Sequence, residues 1–308
     1  MTTTGADPRG GDDGASRQRQ PAIEHVAIAT KRDSADAASL AGELAQWLMR
    51  RDVGVLLEEE TLAETGAEGV QTFRLGELPR FEPGRLLVVA LGGDGTLLSV
   101  ARTLGSAVPI LGVNLGSLGF LTEVARTELY PSLVEVLAGR YDTAERSLLA
   151  VELRRTNGEM GHYRVLNDVV VNKTALARII QLTVKIDRRL IAVYRADGLI
   201  VSTPTGSTAY NLSAGGPIVH PSLPVAVLTP ICPHALTMRP LVVPDRSVVE
   251  VTLETPGEEV YLTLDGQEGY TMAYRDTIRV RVAPEPVRMV GGGRTFYDAL
   301  RSKLRWGE

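Results

Sequence analysis

The run LLVVAL, Leu86–Leu91, ends in Gly92, Gly93, Asp94 and Gly95 and passes directly into a helical pattern opening at Thr96. A strand with no polar position along it is buried on both faces, which requires a sheet covered on both sides. The turn must then be built from residues that tolerate unusual backbone angles and close contact, which glycine does. Free N–H groups at the start of a helix favour an anion, so the geometry suits a phosphate. Asp94 conflicts with that, because a carboxylate repels phosphate unless a cation or a proton-donating nucleophile lies between them. Asp94 is therefore either a metal ligand, a general base or both, or an incidental residue of a tight turn.

The pattern around this stretch alternates strand and helix. Ile23–Thr30 has β-branched content. Leu40, Leu44, Trp47 and Leu48 then share a helical face after a Ser34 cap, and strands follow at Val53–Leu57, Leu86–Leu91 and Val108–Val113. Such alternation predicts a parallel sheet with helices on its faces over residues 21–145. The Gly clusters GGDG and Asn114–Phe120 then occupy βα loops on the edge where open α/β sheets bind ligands. From Tyr141 the period changes to two. Strands are expected at Ser147–Arg155, Tyr163–Asn172, Ile179–Ile186, Ile191–Tyr194, Leu199–Ser202, Val225–Ile231, Ser247–Leu253, Glu259–Leu264 and Thr277–Val282, giving a mostly antiparallel, sandwich-like β-rich unit over 146–290. Arg294–Trp306 turns helical again, with Phe296, Leu300 and Leu304 in one stripe. A lone amphipathic helix needs a surface to cover, so residues 291–308 are expected to pack back on the first unit. Met1–Gln20 lacks apolar periodicity and reads as a disordered tail.

Composition narrows the function. The 308 residues carry a net charge of −4 and no long basic run, which argues against nucleic acid or a membrane surface as partner. With a single cysteine, Cys232, no N-terminal apolar leader and no apolar run of membrane-spanning length, the expectation is a cytoplasmic protein acting on small molecules. The four histidines offer no metal pair. Neither G-x-x-x-x-G-K-[ST] nor G-x-G-x-x-G nor G-x-S-x-G occurs.

A second informative stretch is RADGLIVSTPTGSTAYNLSAGGP, Arg195–Pro217, in which Ser202, Thr203, Thr205, Ser207 and Thr208 crowd around Pro204 and Gly206 before Ala209 and Tyr210 open a short helix. Hydroxyls of this kind are ordinary cap and loop material. They also suit a nucleotide pocket with Tyr210 offering its ring to a base. Asp197 begins the segment and Asn167-Asp168 ends another strand; acceptors of this type can hold ribose hydroxyls.

Taken together, GGDGT, NLGSLGFLTE, VLNDVVVN, DGLIVSTPTGSTAYNLSAGGPIVHPSL and FYDALRSKLRW resemble the NAD kinase family in order and spacing from Ile23 to Trp306. The resemblance implies a Rossmann-like α/β domain, a β-rich second domain and a terminal segment returning to the first. It also implies transfer of a phosphoryl group from ATP or polyphosphate to the 2′-hydroxyl of the adenosine ribose of NAD, giving NADP, with Mg²⁺ as divalent cation and a homo-oligomer, dimer or tetramer. Asp94 matches the proton acceptor, with Gly92, Gly93, Gly95 and Thr96 around it. Asn167 and Asp168 match the ribose pair, where the family more often has Asn-Glu. Asp197 and the run Thr208, Ala209, Tyr210, Asn211, Leu212, Ser213 match the pocket around the bases. Gln267 matches a late pocket residue, and Arg178 and Arg195 match further NAD contacts. Leu98 and Ser99 stand where some members carry a basic residue, so no lysine is expected beside the loop and the metal is expected to carry the phosphate charge. GGDGT also occurs in lipid kinases, which keeps a diacylglycerol-type kinase as an alternative, along with a non-catalytic NAD-binding sensor.

Overall fold

The computed structural model describes residues 20–79, 81–106, 108–116, 119–174 and 178–305. The first unit runs β1 (His25–Thr30), α1 (Ala35–Met49), β2 (Gly54–Glu58), α2 (Glu59–Thr65), β3 (Gln71–Phe73), β4 (Leu86–Gly92), α3 (Asp94–Leu104), β5 (Ile110–Asn114), β6 (Val124–Ala125), α4 (Leu129–Leu137) and β7 (Thr143–Arg146). The chain continues through β8 (Leu149–Arg154), β9 (Met160–Val165), β10 (Asp168–Lys173), β11 (Ile180–Ile186), β12 (Arg189–Ala196) and β13 (Gly198–Ser202). After α5 (Tyr210–Ser213) come β14 (Val225–Ile231), β15 (Leu241–Pro244), β16 (Val249–Leu253), β17 (Val260–Leu264), β18 (Glu268–Met272), β19 (Thr277–Val282), β20 (Val287–Val290) and α6 (Phe296–Leu304).

The first sheet has the order β3-β2-β1-β4-β5-β20-β7, with β6 pairing β5 off this path. Its pairings are parallel except β20 with β7. All seven residues of β4 are buried, as the apolar run requires. Leu87, Val89 and Leu91 join the core under α1 and α4, and Leu86, Val88 and Ala90 join the core under α3. Ser34 caps α1 by accepting from the Ala37 N–H at 3.3 Å, and Leu40, Leu44 and Leu48 bury its inner stripe. Each such leucine contributes roughly 1.5–3 kcal/mol. Leu148 and Leu166 also enter the α3-side core, which anchors the second unit against that face.

Two antiparallel six-stranded sheets, β15-β14-β13-β10-β17-β18 and β12-β11-β16-β19-β8-β9, share one core that includes Val151, Leu182, Val201, Leu228, Val251 and Leu262. The second unit is thus the expected sandwich. Two expectations need correction. Tyr163–Asn172 is not one strand: β9 and β10 belong to different sheets, and the break at Leu166–Asn167 is held by the Asp265 carboxylate, which accepts from the N–H groups of Leu166, Asn167 and Asp168 at 3.0, 2.7 and 3.2 Å. Asn167 and Asp168 accordingly open a strand and do not end one. Strand β20, which the sequence places inside the β-rich stretch 146–290, adds to the first sheet, where Met289 pairs Ile110 in parallel and Val287 pairs Arg146.

Helix α6 covers less than Arg294–Trp306. Thr295 caps it through the Asp298 N–H at 3.2 Å, and it ends before Arg305, whose φ is 52°. Leu300 is buried and Phe296 and Leu304 half-buried; Trp306 lies outside the described residues. The Phe296 ring meets His220 edge-on at 5.0 Å between centroids. The tail 1–20 also lies outside the described residues except for Gln20, whose N–H donates to the Gly139 carbonyl at 3.2 Å. Among the described residues no helix is long and apolar enough to cross a membrane.

Candidate active site

The C-terminal ends of β1, β4 and β5 open onto a cleft of about 1020 Å³ lined by Lys31, Arg32, Gly92–Thr96, Asn114 and Gln267, among others. Asp94 is the first residue of α3. Its Oδ1 accepts from the N–H groups of Leu121 at 3.2 Å and Thr122 at 2.9 Å and from Thr122 Oγ1 at 2.8 Å, while Oδ2 accepts from the Phe120 N–H at 2.8 Å. Asn114 Nδ2 in turn donates to Thr122 Oγ1 at 2.8 Å. A carboxylate has about four acceptor positions. Oδ1 is committed to the protein, whereas Oδ2 keeps capacity for an incoming hydroxyl.

The glycines serve distinct ends. A Cβ on Gly119 would lie 1.9 Å from Asp94 Oδ1, and one on Gly92 would lie 2.2 Å from Thr96 Oγ1, so both positions are required by close approach. Around Gly93 there is open space, where its backbone is accessible to a ligand. Gly95 meets the second unit: Gln267 Nε2 donates to its carbonyl at 2.8 Å. Arg102, also on α3, secures the same turn by donating to Gln267 Oε1 at 3.2 Å and Glu268 Oε1 at 2.8 Å.

From that turn the connections run to the ribose pair. Asp265, buried, holds the amides of Asn167 and Asp168 as above and lies 3.9 Å from Arg102. Asn167 Oδ1 is buried without a partner. Burial first, and then the neighbouring Asp265, push the Asp168 carboxyl up to about 7. Burial also raises Asp265, although three backbone N–H groups and Arg102 oppose this. Asp265 has the donors, so Asp168 is the member of the pair that keeps a proton near neutrality and can donate it in a hydrogen bond. Asn167, Asp168, Ala209, Tyr210 and Gly266 line a cavity of about 320 Å³ in which the Tyr210 side chain is exposed.

Several expected residues have other placements. Asn211 is fully buried and its amide is spent on the Ser207 and Pro217 carbonyls, both at 3.0 Å, and on Thr229 Oγ1 at 2.6 Å. It shapes the 207–217 loop, with both amide hydrogens spent and the side chain closed off from solvent. Thr208 Oγ1 donates to the Thr205 carbonyl at 3.3 Å, and its residue lines a second small cavity with Phe120 and α6, where Thr205 Oγ1 is buried without a partner. Leu212 is half-buried and Ser213 exposed. Arg178 and Arg195 are exposed, and Asp197 pairs with Lys173 at 3.5 Å. None of the three lines the Asp94 cleft or the Asn167 cavity. For Asp197 register explains it: Ser202 is opposite Asp168, whereas Asp197 precedes Gly198 at the other end of β13, roughly 16 Å from Ser202 at about 3.3 Å per residue.

Positive charge does reach the cleft, against expectation. Lys31 and Arg32 come from the β1–α1 loop, about sixty residues before GGDG and invisible to a search beside that motif. Arg102 was also missed; a basic residue in the last turn of a helix passes for an ordinary dipole partner. Among the described residues there is no cluster of three His, Cys, Asp or Glu side chains able to hold a metal. His25 packs on Phe81 and His220 bonds Ser222.

Models of the ATP-NAD kinase N-terminal and C-terminal domains match residues 26–141 and 166–291. The NAD kinase of Geotalea daltonii is 46% identical over 288 residues, covering 93% of this chain and all of that protein, and that of Geobacter sulfurreducens is 47% identical over 289. Among solved structures, yeast NADH kinase complexed with NADH superposes with a TM-score of 0.83 at 26% identity, over 94% of this chain and 89% of that one. An NAD kinase from Archaeoglobus fulgidus in complex with ATP shares the fold, with a TM-score of 0.69 at 24% identity over 91% and 98%.

Proposed function

We propose, from the premise that this chain belongs to the NAD kinase family, that it transfers the terminal phosphoryl group of ATP or polyphosphate to the 2′-hydroxyl of the adenosine ribose of NAD. The observation that supports this reading best is the continuous connection from Gly95 through Gln267 and Asp265 to Asn167 and Asp168, which fixes the Asp94 loop relative to the pocket that offers ribose acceptors. In this reading the α/β unit holds the donor and the sandwich holds NAD.

A ribose hydroxyl is a weak nucleophile, so a base must take its proton as the bond to phosphorus forms, a contribution of about 10²- to 10⁴-fold. Asp94 Oδ2 supplies the free acceptor. Oδ1, clamped by Leu121 and Thr122, keeps the carboxylate from rotating as the hydroxyl approaches. Asn167 Oδ1 accepts from a ribose hydroxyl, the protonated Asp168 donates to an oxygen, and Tyr210 stacks on a base. Lys31, Arg32 and the exposed amides near Gly93 meet the donor's phosphates.

With no three-ligand cluster among the described residues, a divalent cation fits as a partner of the donor's own phosphates, the usual mode for Mg²⁺. There it would neutralise phosphate charge. A homo-oligomer is supported by edge strand β12, where Leu190, Ile191 and Val193 are exposed. The lipid-kinase alternative finds no support at the polar Asn167 pocket. Incubation with NAD and Mg²⁺ plus ATP or polyphosphate tests the proposal: NADP should form with at least one donor. NAD binding without NADP formation under either donor would leave a binding module instead.

A further inference from the structure

On the outer face of the β8-β9-β19 edge, strand register sets six side chains in two rows. Arg281, Ala150 and Arg164 form one row, and Arg279, Glu152 and His162 the next. The alternate positions Val280, Val151 and Tyr163 point the other way, into or against the sandwich core. Four cationic or titratable nitrogen side chains therefore share one face, with a small residue, Ala150, between two arginines. Cross-strand neighbours of this kind are about 5 Å apart, and like charges so placed repel.

The protein neutralises this face only in part. Glu152 is taken by Arg154, and Arg279 reaches Glu250 at 3.8 Å while its Nε is buried without a hydrogen bond. Among the described residues Arg164 and Arg281 have no ion-pair or hydrogen-bond partner. The Arg164 guanidinium lies instead against Gly105, the C-cap of α3, where a Cβ would come within 2.4 Å of Nη1. Helix α3 and Ala283–Glu285 flank the face, and an open cavity of about 580 Å³, whose lining also includes Glu268 and Glu285, remains between them. The unmatched guanidinium groups of Arg164 and Arg281, exposed at the rim of this open cavity, suit a phosphate, which they can meet bidentately. Arg281 and Arg164 stand two strand spacings apart, roughly 10 Å, a span for two or more linked phosphates.

We propose that this cavity binds a small polyphosphorylated anion, separate from the reaction cleft, and that Arg102 transmits its occupancy. Arg102 lines both cavities and holds Gln267 and Glu268, and Gln267 holds Gly95. Helix α3 thus carries Asp94 at one end and the wall of this cavity at the other. Binding here does not depend on the kinase reading; only the coupling does.

The test uses the full chain, with inorganic tripolyphosphate and ADP as separate probes in equilibrium titrations of the parent, Arg164→Gln/Arg281→Gln and Ala150→Glu. The last fills the row with a carboxylate and removes no arginine, so it covers the case in which the double variant misfolds. One binding component should weaken by about tenfold or more in both variants, while the KM for the phosphoryl donor without added probe stays at the parent's value. Comparable binding of both probes in the parent identifies an inorganic phosphate chain as sufficient, and much tighter ADP binding identifies a nucleotide. Superimposable titrations for parent and variants overturn the site. Loss of a component with no parent-specific effect of the probe on initial rates overturns the coupling through Arg102.

Discussion

Asp168 and Asp265 share one buried site on unequal terms: Asp265 accepts three backbone N–H bonds and lies near Arg102, while Asp168 is left with burial and a like-charged neighbour. Its carboxyl, raised from 3.8 to about 7, keeps a proton in the folded state that the unfolded chain releases. Stability therefore falls as pH rises from about 4 to about 7 and levels off above that. Asp168→Asn removes the titration. The variant should gain stability over the parent above pH 7, by at most about 4 kcal/mol at about 1.4 kcal/mol per pH unit, and the gain should shrink toward pH 4. Denaturant titrations across pH 4–8 check this; a constant difference between the two proteins would count against the assigned protonation.

For Asp94→Asn the expected loss in kcat is about 10²-fold or more, with NAD binding retained. The amide can still accept through Oδ1, but its NH₂ then faces the Phe120 N–H and leaves one donor unpaired, at a cost of about 1–3 kcal/mol. Single-turnover rates together with melting curves separate the two effects. Activity within a few-fold of the parent would remove Asp94 as the base.

Gly119→Ala addresses the same carboxylate from the other side. Nothing in the Gly119 backbone angle forbids a side chain, but the added methyl would overlap Asp94 Oδ1. Displacement of the base should lower kcat by about tenfold or more, with the KM for the donor little changed. Initial-rate kinetics at saturating NAD provide the measurement.

Lys31→Met should raise the KM for the phosphoryl donor and make it less sensitive to ionic strength, because one charge facing the cleft is lost. A KM and a salt dependence equal to the parent's would show that the Lys31 amine does not meet the phosphates.

Removing the exposed ring in Tyr210→Ala should weaken NAD by about 1–3 kcal/mol, taking stacking of bases on aromatic side chains as the measure. Calorimetric titration with NAD reads this directly, and an unchanged affinity would place the base elsewhere.

Local pattern was enough for the buried strand at Leu86, the Gly-rich turn, the Ser34 cap and the switch to period two, since each depends on neighbours along the chain. The break at Leu166–Asn167 depends on a carboxylate about a hundred residues away, and apolar periodicity runs straight through it. Strand β20 is four residues long, too short for sequence to tell a parallel partner from an antiparallel one. In the site, the placement of Asp94 and Asn167 at cavity walls was legible because several motifs occur together in one order. Lys31 and Arg102 were not, because a lone basic residue in a loop or a last helical turn carries no signal until the fold supplies the neighbour it faces. The placement of Asn211 was hidden for the converse reason: an amide next to a binding loop can bond within the loop itself.

Because β20 inserts between β5 and β7 only after the entire sandwich has been traversed, the α/β unit has an order of assembly imposed on it. A chain emerging from the ribosome presents residues 25–146 with β5 and β7 still lacking the strand that joins them, and residues 149–282 must follow before it arrives. The first half is held as an incomplete sheet with an unfilled slot for about 140 residues of synthesis. Completion of that sheet ties the sandwich to the α/β unit at both of its ends, through β7 on one side and β20 on the other.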